Sequence, residues 1–202
     1  MRARQGRSCA RGCRTAVVRA VVDDVSCGRP ARAPLVSANF NPVPSATMPV
    51  VSFDSLPDSA RVWIFGADQR LSEDAATALM RDVGDHLADW KAHGEPLTVG
   101  SQLIDDRFLV VAVDQSTAGA SGCSIDGLFR VLQAVQSRLG TNLVGGGRLF
   151  YRDGQGQVQC APRADLDELR ASGAITKDTV VFDTTITDLG TFRRKFEGAA
   201  GE

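Results

Sequence analysis

The chain is poor in lysine, histidine and long apolar runs, and each shortage excludes something. Lysine occurs only as Lys91, Lys177 and Lys195, and none of them follows a glycine. A phosphate-binding loop that ends in Gly-Lys-Ser/Thr, where the lysine clamps the phosphates, is therefore missing. Histidine occurs only as His86 and His93. With Cys123 and Cys160 they show no ligand spacing typical of zinc, so no metal is expected, and no other motif calls for a cofactor. The longest apolar runs, such as Phe108 to Val113, fall far short of the roughly 20 residues of a membrane span, so no membrane insertion is expected.

A net charge of −1 over 202 residues hides a strong asymmetry. Residues 1–47 hold eight arginines, no lysine and two aspartates, a net of +6. The remainder holds 15 basic and 22 acidic residues, a net of −7. An acidic domain is a poor partner for nucleic acid, which demands a basic surface. The first 47 residues have prolines at 30, 34, 42 and 44 and no sustained periodicity, so they read as a disordered basic tail. A secretory signal is disfavoured because Arg19 interrupts the run Ala16 to Val22. An organellar transit peptide and an over-extended reading frame that truly starts at Met48 both fit. Cys9, Cys13 and Cys27 lie in this tail; Cys123 and Cys160, in the domain, are expected to be reduced thiols in a cytoplasmic protein.

Residues 48–202 read as one α/β domain. Val62 to Phe65 is continuously apolar, the mark of a strand covered on both faces. Ser72 caps a helix whose Ala76, Leu79, Met80, Val83, Leu87 and Trp90 share one face, and Gly94 and Pro96 stop it. Two strands follow around a tight turn at Asp105-Asp106, the second again continuously apolar. A second helix from Ser124 buries Ile125, Leu128, Phe129, Leu132, Val135 and Leu139 and ends at Gly140. Gly145-Gly146-Gly147 reads as a flexible loop. A hairpin around Asp153-Gly154, a short helix, a strand near Thr179 to Thr184 and a final helix over 188–197 complete the chain.

The first six elements run strand, helix, strand, strand, helix, strand. That is the order of a ferredoxin-like split βαβ sheet, an α+β arrangement, here with a C-terminal hairpin, helix and strand as an extension. Its first and third strands are central, and these are the two with continuous apolar runs. Such a sheet has an open second face, which the C-terminal elements or a second subunit must cover. A doubly wound α/β sheet is the alternative.

Chemistry concentrates on the turn Ala118 to Asp126. Backbone N–H groups at a helix start are unpaired and attract anions, so Gly119, Ser121, Gly122, Cys123 and Ser124 form a candidate site for a small anionic ligand. Cys123 sits just before that start, where a thiol can become a nucleophile. Its base would be His86 or His93, placed at helical spacing from Asp82 and Asp89 respectively. The bland reading is a tight turn in which Gly119 and Gly122 supply unusual backbone angles, Ser124 caps the helix and Cys123 fills space.

At Arg61-Val-Trp-Ile-Phe, Ala118-Gly-Ala-Ser-Gly-Cys-Ser-Ile-Asp126, Tyr151-Arg-Asp-Gly154 and Gly173-Ala-Ile-Thr-Lys-Asp-Thr-Val-Val-Phe-Asp183, the chain resembles a small bacterial family. Its members have no established activity, and some carry the label ABC transporter ATPase. The likeness extends over about Ser52 to Phe196. It implies a cytoplasmic bacterial protein that starts near Met48. The transporter-ATPase label finds no support here, because the phosphate-binding lysine motif is missing.

No complete catalytic set is present, so the expected function is a ligand-binding or protein-assembly module, with a homodimer covering the open sheet face. The alternatives are a Cys123-dependent enzyme and a nucleotide- or phosphate-binding protein that uses the 118–126 turn.

Overall fold

Phe108–Asp114 is the strand on which both layers of this protein rest. A computed structural model describes residues 50–116 and 118–201, all of them within one compact unit, Val43–Glu202. The basic segment 1–47, with Cys9, Cys13 and Cys27, lies outside the described residues. The elements are β1 (Arg61–Gly66), α1 (Glu73–Ala88), β2 (Lys91–Ala92), β3 (Glu95–Pro96), β4 (Thr98–Ile104), β5 (Phe108–Asp114), α2 (Gly122–Leu139), β6 (Arg148–Arg152), β7 (Val158–Pro162), α3 (Leu166–Ala171), β8 (Val180–Phe182), α4 (Leu189–Lys195) and β9 (Glu197–Ala199). The protein is thus a mixed α/β structure built on antiparallel sheets. No helix among the described residues is long and apolar enough to cross a membrane.

The first sheet has the order β1-β5-β4, antiparallel throughout. Its hairpin turns at Asp105 and Asp106, whose φ angles of 54° and 51° suit a type I′ turn and which aspartate tolerates better than most side chains. Because side chains alternate along a strand, β5 feeds two cores. Leu109, Val111 and Val113 meet Leu79, Val83 and Leu87 of α1 and Leu128, Leu132 and Val135 of α2. Phe108, Val110 and Ala112 point the other way, into a core with Phe150, Phe182, Leu189, Phe192 and Phe196. The continuous apolar run of β5 therefore means what its pattern predicts, burial on both faces.

The fourth strand departs from the expected sheet. β6 forms no pairing with β1; it joins a second antiparallel sheet of order β7-β6-β8-β9. The reason is aromatic packing. The Phe108 ring lies 5.1 Å from that of Phe150, 4.7 Å from Phe182 and 5.1 Å from Phe196. Each such pair is worth about 0.5–1.5 kcal/mol beyond the area it buries. That gain draws β6 over the second face of the first sheet instead of alongside it. Two expectations change. Four strands do not line up in one split βαβ sheet, and β1 is an edge strand. The open face that motivated a homodimer is filled by the chain itself. The doubly wound alternative also lacks its parallel strands, since every named strand pair is antiparallel.

Candidate functional site

The residues expected to act together are placed in three different settings. Helix α2 begins one turn earlier than expected: Ser121, not Ser124, is its cap, and the Ser121 hydroxyl accepts from the Ser124 N–H at 3.3 Å. The Ile125 N–H bonds the Ser121 carbonyl at 3.0 Å. One donor of the proposed anion site, the Ser124 N–H, is thereby used within the turn. Gly119 and Gly122 take no positive φ, so the unusual backbone angles expected of them are not needed. Cys123 stands inside the first turn of α2, exposed to solvent, and neither it nor Cys160 forms a disulfide.

His86 faces inward instead. Its ring lies 6.0 Å from that of Trp90 and opposite Gly127, where a Cβ would stand 3.4 Å from the imidazole Cε1. Its Nε2 is buried without a hydrogen-bond partner, so it is not bonded to Cys123. Burial, and then the charge of Arg130, hold its pKa below the ordinary 6.5. The expected Asp82–His86 pair does not form. Arg138 and Arg81 bind the Asp82 carboxylate and hold its pKa below the usual range. His93 is not on the helix at all. Helix α1 ends at Ala88, and His93 sits exposed in the β2–β3 turn with φ of 54°. Trp90 is the cause: its ring is buried and its Nε1 donates to the Ser124 carbonyl at 2.8 Å, which pulls the chain off the helical path. Among the described residues no group of three or more His, Cys, Asp or Glu gathers in metal-binding geometry.

A cleft suited to a ligand lies elsewhere. A cleft of about 380 Å³ runs along the outer edge of β1, where the fourth strand of a split βαβ sheet would have been. All of Arg61 to Gly66 contributes to its floor. Phe129, Leu143 and Val144 wall it on the helical side; Phe150, Ile186 and the threonines 184, 185 and 187 wall it on the other. The Gly145–Gly147 run, Arg148 and Arg163 complete it.

The glycine run is tied down rather than loose. Arg148 donates to the carbonyls of Asn142 (2.5 Å), Leu143 (3.2 Å) and Gly145 (2.6 Å). The Arg163 N–H bonds the Gly147 carbonyl at 2.8 Å, and Gly147 has φ of 72°, which only glycine adopts readily. Three arginines line the cleft, Arg61, Arg148 and Arg163, and no aspartate or glutamate does. None of the three forms a salt bridge among the described residues. Arg61 lies over the Trp63 ring at 4.7 Å. Two nearby acids are hydrogen-bonded within the fold, and one of them, Asp68, also feels the charge of Arg148. Asp188, bridged to Arg61 through the backbone, caps α4 by accepting from the Thr191 N–H at 2.8 Å. Asp68 accepts from the Thr141 hydroxyl at 2.9 Å and the Asn142 N–H at 3.1 Å. The cleft is thus amphipathic and positive on a domain that is acidic overall.

Sequence reasoning missed this site. Arg61, Arg148 and Arg163 are far apart in the chain, and the one local signal, Gly147 followed by Arg148, reads as a loop entering a strand. Comparison with protein-family models, with curated proteins and with solved structures gives no match to this chain.

Proposed function

We propose that this protein is a non-catalytic binding module that holds an anionic, partly apolar ligand in the cleft along β1. The observation that carries this reading is charge: three arginines and no carboxylate line a cleft whose walls are aromatic and aliphatic. Pockets that bind organic ligands have this composition, an apolar lining with a few polar groups that fix orientation. Arginine suits the role because its planar fork binds carboxylates and phosphates through two parallel hydrogen bonds. Nucleophilic catalysis is not favoured. Cys123 has no base bonded to it through His86 Nε2, and it does not line this cleft. The reading needs no second subunit, since Phe150, Phe182 and Phe196 fill the far sheet face.

The test is an NMR titration of the full chain with 1-naphthoate, an aromatic carboxylate. Amide shifts are expected at residues 61–66, 143–148 and 184–187. Replacing Arg61 and Arg163 together by glutamine should weaken the titration about tenfold or more, the scale of one or two charge-assisted bonds. Shifts confined to residues 119–126, or none at millimolar ligand, would overturn the reading in favour of the α2 turn or of no anion site.

A further inference from the structure

We infer that the natural occupant of the β1 cleft is an extended peptide segment, apolar at its centre and flanked by aspartate or glutamate, which adds to the first sheet as a strand beside β1. This deepens the reading of the cleft as an anion site and rests on it.

The floor of the cleft is backbone. In an antiparallel pair the N–H and C=O groups of alternate residues point to opposite edges. The Val62 N–H donates outward to the Thr187 carbonyl at 2.9 Å, and the Ala67 N–H bonds the Arg107 carbonyl on the β5 side at 2.8 Å. Val62, Ile64 and Gly66 therefore direct their backbone groups away from β5. Val62 is satisfied. Beyond the sheet, no backbone partner reaches Ile64, which is half-buried, or Gly66, which is buried, among the described residues. The chain already uses the start of this edge for strand-like contact: Arg61 bridges Asp188 in antiparallel fashion, and the Ala60 carbonyl accepts from the Leu189 N–H at 2.9 Å. That contact stops short of Ile64. An extended peptide repeats its donor and acceptor every two residues, about 6.6 Å, which is the repeat of Ile64 and Gly66. A compact small molecule does not have that repeat.

The walls fit the same occupant. Side chains of an added strand alternate between its two faces. One set would meet Phe129 and Leu143, the other Phe150 and Ile186. Charge then selects the partner. A second copy of this chain would bring its own Arg61, Arg148 and Arg163 against these three. Residues 1–47, with a net of +6, would repel them as well. An acidic segment complements them, and complementary potential is what steers a partner and suppresses wrong ones. Addition of a peptide strand to an open sheet edge is a general mode of recognition, in which main-chain bonds supply affinity and side-chain pockets supply specificity.

The experiment is residue-resolved hydrogen exchange on the full chain, free and with the peptide acetyl-Glu-Ile-Val-Ile-Glu-amide. A second peptide, N-methylated at both isoleucines and at valine, cannot donate from those nitrogens. The expected result is that the first peptide slows exchange of the Ile64 and Gly66 amides at least about tenfold, and that N-methylation weakens binding at least about tenfold, the worth of one or two net hydrogen bonds. Equal binding of the two peptides would overturn strand addition while leaving the anion cleft intact. Failure of both peptides where 1-naphthoate still shifts the cleft would do the same; failure of all three would overturn both readings. Slow exchange at Ile64 in the free protein would also overturn the inference. It would assign the edge to a second copy if it grows with protein concentration, and to the chain's own remaining residues if it does not.

Discussion

The ring of Phe150 occupies the space that a side chain on Gly66 would need: a Cβ at Gly66 would stand 2.4 Å from the Phe150 Cζ. The contact seats Phe150 over the face of the first sheet, where the rings of Phe108, Phe182 and Phe196 also hold β6, and not beside β1.

Replacing Gly66 by alanine should therefore cost about 1–3 kcal/mol, the usual penalty for forcing extra atoms into a packed core. The double variant Gly66→Ala, Phe150→Leu should recover part of that loss, because the two positions share one contact. Urea unfolding followed by circular dichroism measures both. Additive losses in the double variant would mean that Phe150 is not what the new methyl meets.

Arg107 is a buried cation without a bonded partner at Nη1, only 6% exposed. Burial pulls its pKa down, and nearby Cys160 and Asp68 push it back up without reaching it as hydrogen-bond partners. Replacing a buried charge by an apolar side chain of similar length is often neutral or stabilising, here by about 1–2 kcal/mol. The Arg107→Met variant is expected to unfold at the same or higher urea concentration than the wild type. A loss of stability would mean that the guanidinium satisfies an interaction beyond the described residues.

Acid should destabilise the protein in a window set by His86. Its pKa in the folded state lies below the ordinary 6.5, so the unfolded chain binds the proton more readily. Stability is then complete above pH 6.5 and declines as the pH falls below it. Asp68 and Asp82 act later. Burial works against ionised Asp68, but bonds from Asn142 and Thr141 outweigh it, and Arg138 and Arg81 hold Asp82 low; both lie below 3.8. Their contribution is present above pH 3.8 and is lost only in stronger acid. Between pH 7 and pH 5 the His86→Phe variant should therefore show a flatter stability profile than the wild type. Equal slopes would remove His86 as the cause.

Much of the architecture was legible because it is local. The Ser72 cap places α1, Gly140 with φ of 64° ends α2, and Asp105-Asp106 turns the β4–β5 hairpin. The unbroken run Phe108 to Val113 announces a strand buried on both faces, and β5 is central as predicted, although β1 is an edge. Errors arose where one long-range contact outweighed a local signal. Trp90 continues the apolar stripe of α1, yet its bond to Ser124 takes it off the helix. Cys123 carries the right neighbours for a nucleophile, yet the Nε2 of His86 is buried without a partner and makes no bond to it.

By itself, then, the sequence determined the helices, the central strand, the acidic domain and the absence of a phosphate-binding lysine loop, because each depends on residues a few positions apart. Only the tertiary structure decided where β6 lies. Pairing beside β1 and packing over Gly66 are both open to the same apolar strand, and the choice depends on Phe108, Phe182 and Phe196 converging on Phe150. That choice created the cleft, and with it brought together Arg61, Arg148 and Arg163, whose separation in the chain left no pattern to read.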